Sequence, residues 1–119
     1  MDATRLPLAE STGELMQISG CEPPFVLRYQ EERADVSLAW DSSELPDALL
    51  WISNGGRAHK PWSGRHFAVG VEPANSFFDL GRIVIPPVSH PRAGRSGLAF
   101  KAGIPRTITY RLSAAPCEV

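Results

Sequence analysis

The sequence predicts an all-β protein, an antiparallel β-sandwich, and three observations carry the prediction. Ten Gly and eleven Pro are spread among 119 residues, well above the share of about 12% that average usage gives. They are not gathered into a linker but fall between short apolar runs, at residues 20–24, 46, 54–56, 61–64, 86–91 and 94–105. Breakers at such intervals interrupt each run before a helix of average length, about 11 residues, can form. Within the runs, apolar residues alternate with period two, as a strand with one face on a core requires.

Taken in order, residues 1–23 are expected to be a lead-in segment. Their periodicity is weak, with Leu6, Leu8, Leu15 and Ile18 as anchors, and the Ser11-Thr12-Gly13-Glu14 spacing fits a capping box before a short helical turn. The single domain is expected over residues 24–119. Its first strand is 24–30, PFVLRYQ, where Phe25, Leu27 and Tyr29 alternate with Val26 and Arg28. After an acidic turn at Glu31-Glu32 comes 34–41, ADVSLAWD, with Val36, Leu38 and Trp40 on one face. Two such strands around a short connection make an antiparallel hairpin. Residues 48–54, ALLWISN, are apolar on both faces, as a central strand is, and end in Asn54-Gly55-Gly56, three residues that tolerate positive φ. Residues 57–65, RAHKPWSGR, then form a loop longer than most hairpin loops, a length at which loops are often functional. Strand 66–73, HFAVGVEP, follows, and the remaining candidates are 82–85, 97–101 and 107–112, the last turning Ile108, Tyr110 and Leu112 inward. An immunoglobulin-like sandwich fits poorly, because the Cys…Trp…Cys spacing is missing.

Composition narrows the class of function. Twelve Lys and Arg against thirteen Asp and Glu leave a net charge of −1, with no basic run, so nucleic acid is not an expected partner. The longest apolar run, 48–52, is far short of the ~18 residues that cross a bilayer as a helix, so no membrane is expected either. The first residues, MDATRLPLAES, lack the basic and then apolar regions of a secretory signal. Cys21 and Cys117 have neither the number nor the spacing of a disulfide scaffold or a zinc site, which fits a reducing cytoplasm. No cofactor and no metal are expected.

Strand 66–73 offers the clearest opening for chemistry. Phe67, Val69 and Val71 point to one face and are expected to pack. The other face presents His66, Ala68, Gly70 and Glu72, two very small residues beside a carboxylate. Either a ligand fills the space above them, with Glu72 partly buried beside it, or they make room for a bulky neighbour such as Trp51. On the loop, Trp62 offers a flat apolar face to the C–H side of a sugar and Arg57 offers forked donors to hydroxyls; Trp62 could equally cap the sheet as packing. Asn75 and Ser76 either bind a hydroxyl or shape the turn after Glu72-Pro73.

Between residues 26 and 112 the chain resembles the C-terminal half of the aldose 1-epimerase (galactose mutarotase-like) family. The resemblance is carried by LPDALLWISNGGR at 45–57, VGVEPANSFFDLG at 69–81 and AGIPRTITYRL at 102–112. Members are similar in having an apolar strand ending in Trp-x-x-Asn-Gly-Gly, a loop, a strand running into Glu-Pro, and a late turn before an aromatic-Arg-Leu strand. The resemblance implies part of a large β-supersandwich, and an aldose as substrate. It also implies a strand-borne glutamate, here Glu72, as general base at the anomeric hydroxyl. The base takes the O1 proton, an acid protonates the ring oxygen, and rotation before reclosure yields the other anomer; a carboxylate suits the first role when burial raises its pKa toward neutrality.

The family's acid histidine and most of its sugar-binding polar residues belong to an N-terminal half that this chain is expected to lack. His66 lies six residues from Glu72, roughly 20 Å at ~3.3 Å per residue, too far to serve the same ring from its own strand. His59 could bend over the site from the loop, and His90 reads as a turn residue. The expected function is therefore a carbohydrate-binding, mutarotase-like domain. It would become an aldose 1-epimerase when completed by a separate N-terminal half. The alternative is a non-catalytic remnant or interaction domain of the same fold. The expected partners are an aldose and either that half or a second copy, which would cover apolar sheet surface and unpaired edges.

Overall fold

A computed structural model describes residues 2–77, 87–90, 93–94 and 97–117. Six strands are formed: β1 (Thr12–Ser19), β2 (Phe25–Tyr29), β3 (Ala34–Trp40), β4 (Asp47–Asn54), β5 (Phe67–Ala74) and β6 (Tyr110–Pro116). They make two three-stranded sheets, ordered β1-β4-β5 and β2-β3-β6. The described residues contain no helix, and so none long and apolar enough to cross a membrane. The fold is all-β and sandwich-like in its strand content, as the alternation and the breakers predict. The chain divides into two compact units, Met1–Ile18 with Ala48–Glu72 and Ser19–Asp47 with Pro73–Val119.

In the first unit the central strand β4 carries the core. Ala48, Leu50 and Ile52 are buried on one face, and Ser53 and Asn54 at its end are buried too. Strand β5 runs antiparallel to it: the Gly55 N–H donates to the His66 carbonyl at 3.0 Å, and further along Trp51 lies beside Gly70. The segment expected to be an irregular lead-in instead supplies β1, at the sheet edge against β4, and the anticipated helical turn after Ser11 does not form. Capping-box spacing loses there to the backbone pairing that β4 offers. Thr12 of β1 bridges to Gly55.

The end of β4 does more than turn the chain. The side-chain oxygen of Asn54 accepts from the Leu8 N–H at 2.9 Å, and its amide donates to the carbonyls of Leu8 (3.0 Å) and Glu10 (2.6 Å). One buried side chain thereby satisfies three backbone groups of the N-terminal segment, which have no ladder partners of their own to use. Gly55 has φ of +73°. Gly56 lies so close to β1 that a Cβ there would stand 2.4 Å from the Thr12 carbonyl carbon.

In the second unit β2 and β3 form the expected hairpin, in register from Phe25↔Leu38 to Tyr29↔Ala34, and β6 pairs along the other side of β3. Directly opposed residues share a face, so Phe25, Leu38 and Leu112 line up, as do Leu27, Val36 and Ala114. Trp40 is buried, with its indole N–H donating to the Leu45 carbonyl at 2.7 Å. Arg28 forms a two-pronged ion pair with Asp35 across the hairpin (2.9 and 2.8 Å). Strand β6 begins at Tyr110, later than the expected 107, and Tyr110 and Leu112 are 70% and 67% exposed where inward packing was expected. An edge strand has a neighbour on one side only, so alternation places its apolar residues on a face without ensuring that the face is covered. Residues 97–101 form no strand; the candidate at 82–85 lies outside the described residues.

Candidate functional site

The loop between β4 and β5 folds back on itself through its backbone. Gly64 N–H donates to the Arg57 carbonyl (2.8 Å), Ser63 N–H to His59 (2.9 Å) and Arg65 N–H to Trp62 (2.9 Å). Ser63 and Gly64 take φ of 49° and 71°, the left-handed geometry that reverses the chain. These bonds fix where the side chains of 57–65 start from.

The result is a stack. The Arg57 guanidinium carbon lies 4.8 Å from the centroid of Trp51 and 4.9 Å from that of Trp62, within cation–π range of both rings. His59 meets Trp62 edge-on with centroids 5.0 Å apart, and His66 tilts against Trp51 at 5.9 Å. The His66 Nδ1 is 2.8 Å from the Ser53 hydroxyl, which itself lies 3.2 Å from the His66 carbonyl. Arg57, Trp62 and Trp51 are all half-buried. Trp62 and Arg57, expected as binding residues, are thus brought together. Trp51, on the central strand β4, joins them as the second ring.

Trp51 also settles what Gly70 of β5 makes room for. A Cβ on Gly70 would stand 3.6 Å from Trp51 Cε3 and 3.7 Å from its Cβ, so the indole occupies the space above Gly70. Of the two readings open in the sequence, room for a bulky neighbour is the one realised. Glu72 folds back along the same face, its Oε1 3.6 Å from that same Gly70 position. It is exposed, not partly buried as expected, and Phe67 on the opposite face is 60% exposed rather than packed. Only Val69 and Val71 of that trio are half-buried. The burial that the base role was expected to draw on is absent at Glu72.

Asn75 and Ser76 belong to the second unit. The Asn75 amide donates to the Glu44 carbonyl at 2.9 Å, so it shapes the chain path after β5. Glu44 in turn pairs with Arg106. His90 closes a turn through its N–H to the Pro87 carbonyl (2.8 Å). Among the described residues no group of three or more His, Cys, Asp or Glu side chains is gathered to hold a metal ion. Cys21 and Cys117 are both free thiols. The structure thus defines an all-β protein bearing an arginine within cation–π range of two indoles. Comparisons of the chain with family models, with curated proteins and with solved structures found no match.

Proposed function

We propose that the chain is a carbohydrate-binding domain of mutarotase-like kind, and that the Trp51–Arg57–Trp62 stack is where an aldose docks. One observation carries the reading: a guanidinium gathered against two half-buried tryptophans, on a loop closed by its own backbone bonds. Sugars ask for this pairing, an apolar plane for their C–H face and donors at its rim for their hydroxyls. The resemblance of residues 45–57 and 69–81 to the mutarotase-like family supports the same substrate class.

In this reading the chain alone binds without epimerising. Glu72 stands in water, and neither His59 nor His66 pairs with it as an acid. Glu72 acts as general base only where another polypeptide supplies the acid and covers the site. A cytoplasmic location is supported by the two free cysteines. The second reading, an interaction domain of the same fold, is favoured by the exposed Tyr110 and Leu112 of β6.

Calorimetric titration with D-galactose and D-glucose tests the proposal. A hexose has about 12 heavy atoms; at about −0.3 kcal/mol for each, the expected Kd is about 2 mM. Trp62→Ala should abolish the signal, and polarimetry of fresh α-anomer should show only the buffer rate. A full set of flat titrations would overturn sugar binding.

A further inference from the structure

We propose that the sugar bound at the stack carries an anionic group, a carboxylate or a phosphate, which pairs with Arg57; the inference rests on the sugar-binding reading above. Two arginines of this protein hold acids: Arg28 grips Asp35 with two prongs, and Arg106 pairs with Glu44. Arg57 is as well positioned as either, yet among the described residues it makes no ion pair and no hydrogen bond through its guanidinium. Its guanidinium carbon lies within cation–π range of two indole rings instead. An indole offers no lone pair to an N–H, so stacking orients the group while leaving its in-plane donors unmatched.

A planar cation held against two indole rings, with no acid on its donors, is a preorganised fork for a two-oxygen anion. Neutral hydroxyls would use such a fork poorly, since each supplies one oxygen and no charge. The surrounding sequence points the same way. Residues 57–66 hold Arg57, Lys60 and Arg65, with His59 and His66, and none of the chain's thirteen Asp and Glu. In a chain of net charge −1 this is a local positive excess, placed on the loop that carries the stack. Glu72, the acid of β5, folds back toward Trp51 but makes no ion pair with Arg57. Field and geometry therefore select one ligand chemistry: a pyranose presenting its C–H face to Trp62 and an oxyanion to Arg57.

The test titrates the full chain with D-galactose, D-galacturonate, D-galactose 6-phosphate and inorganic phosphate, at about 50 mM and again at about 300 mM sodium chloride. The expected result is that one anionic sugar binds at least ~10-fold tighter than galactose, with the gap narrowing at high salt. Which of the two wins separates carboxylate from phosphate. Arg57→Gln should close the gap, and circular dichroism shows whether that variant folds. The wild-type ratios decide the matter without it. Galactose binding as tightly as both anionic sugars would overturn the anion and leave sugar binding standing. Inorganic phosphate binding as tightly as the sugar phosphate would overturn the anionic sugar in favour of a bare oxyanion site. Absence of binding by every sugar would end the underlying reading together with this one.

Discussion

Residues 54–56 and residues 68–72 look alike in sequence, each a cluster of small residues next to a polar side chain, and the structure uses them in opposite ways. At 54–56 the small residues mark the tightest interlock of the first unit. Gly56 has the backbone of β1 against it, and the neighbouring Asn54 side chain stitches the N-terminal segment to β4. At 68–72 they mark an accommodating surface, where Gly70 faces a tryptophan at ordinary contact distance and Glu72 meets solvent. A missing side chain announces that something approaches. What approaches, backbone or side chain, decides how much the position matters, because backbone held in a sheet has nowhere to move.

The sharpest way to break this comparison is to add one methyl group at each glycine. Gly56→Ala puts its Cβ 2.4 Å from the Thr12 carbonyl carbon, 2.7 Å from Thr12 Cα and 2.8 Å from Gly13 N. It should lose stability at or above the upper end of the ~1–3 kcal/mol typical of overpacking, read as a fall in the urea midpoint. Asn54→Ala should follow, since it strands the Leu8 N–H and the carbonyls of Leu8 and Glu10; about 2 kcal/mol is expected in the same assay. Gly70→Ala should go the other way. Its new Cβ meets Trp51 at ordinary contact distance and the native φ is not positive, so the variant should be neutral or stabler by up to ~1 kcal/mol. Equal losses at 56 and 70 would erase the distinction.

The smallest effect belongs to an exposed contact in the second unit, which sets a baseline for both regions. Arg28 holds the Asp35 carboxyl below the usual carboxylate range, chiefly through their hydrogen bonds. A depressed folded pKa contributes stability that is present above the unfolded value, about 3.9, and is lost as pH falls through the folded one. Asp35→Asn should therefore unfold slightly earlier than wild type at pH 7. The two urea midpoints should converge as the pH is lowered from about 5 toward 2.

Much of this architecture is legible in the residues. The hairpin β2–β3, the central β4 and its partner β5 follow from alternation bounded by Gly, Pro and acidic turns. Strand β1 is not legible: Glu14 and Gln17 break its two faces, and only pairing with β4 makes TGELMQIS extended. The exposure of Phe67, Tyr110 and Leu112 is hidden for a related reason, since alternation assigns a residue to a face but not a cover to that face. At the candidate site, loop length together with Trp62 and Arg57 points to the segment that carries the cation–π contacts. Trp51 could be found from Gly70, the small residue that faces it. The approach of Arg57 to both rings depends on loop backbone geometry set by Ser63 and Gly64, which no spacing rule encodes.

The central claim is that sugar docks on the Trp51–Arg57–Trp62 stack, and the three indole N–H resonances test it most directly. Trp40 is the internal reference, buried with its N–H bonded to the Leu45 carbonyl. In a nitrogen-15 labelled chain titrated with galactose or galacturonate, the Trp62 indole should shift most and Trp51 next, saturably, while Trp40 stays still. Shifts confined to Trp40, or saturable binding that leaves both Trp51 and Trp62 unmoved, would contradict the account.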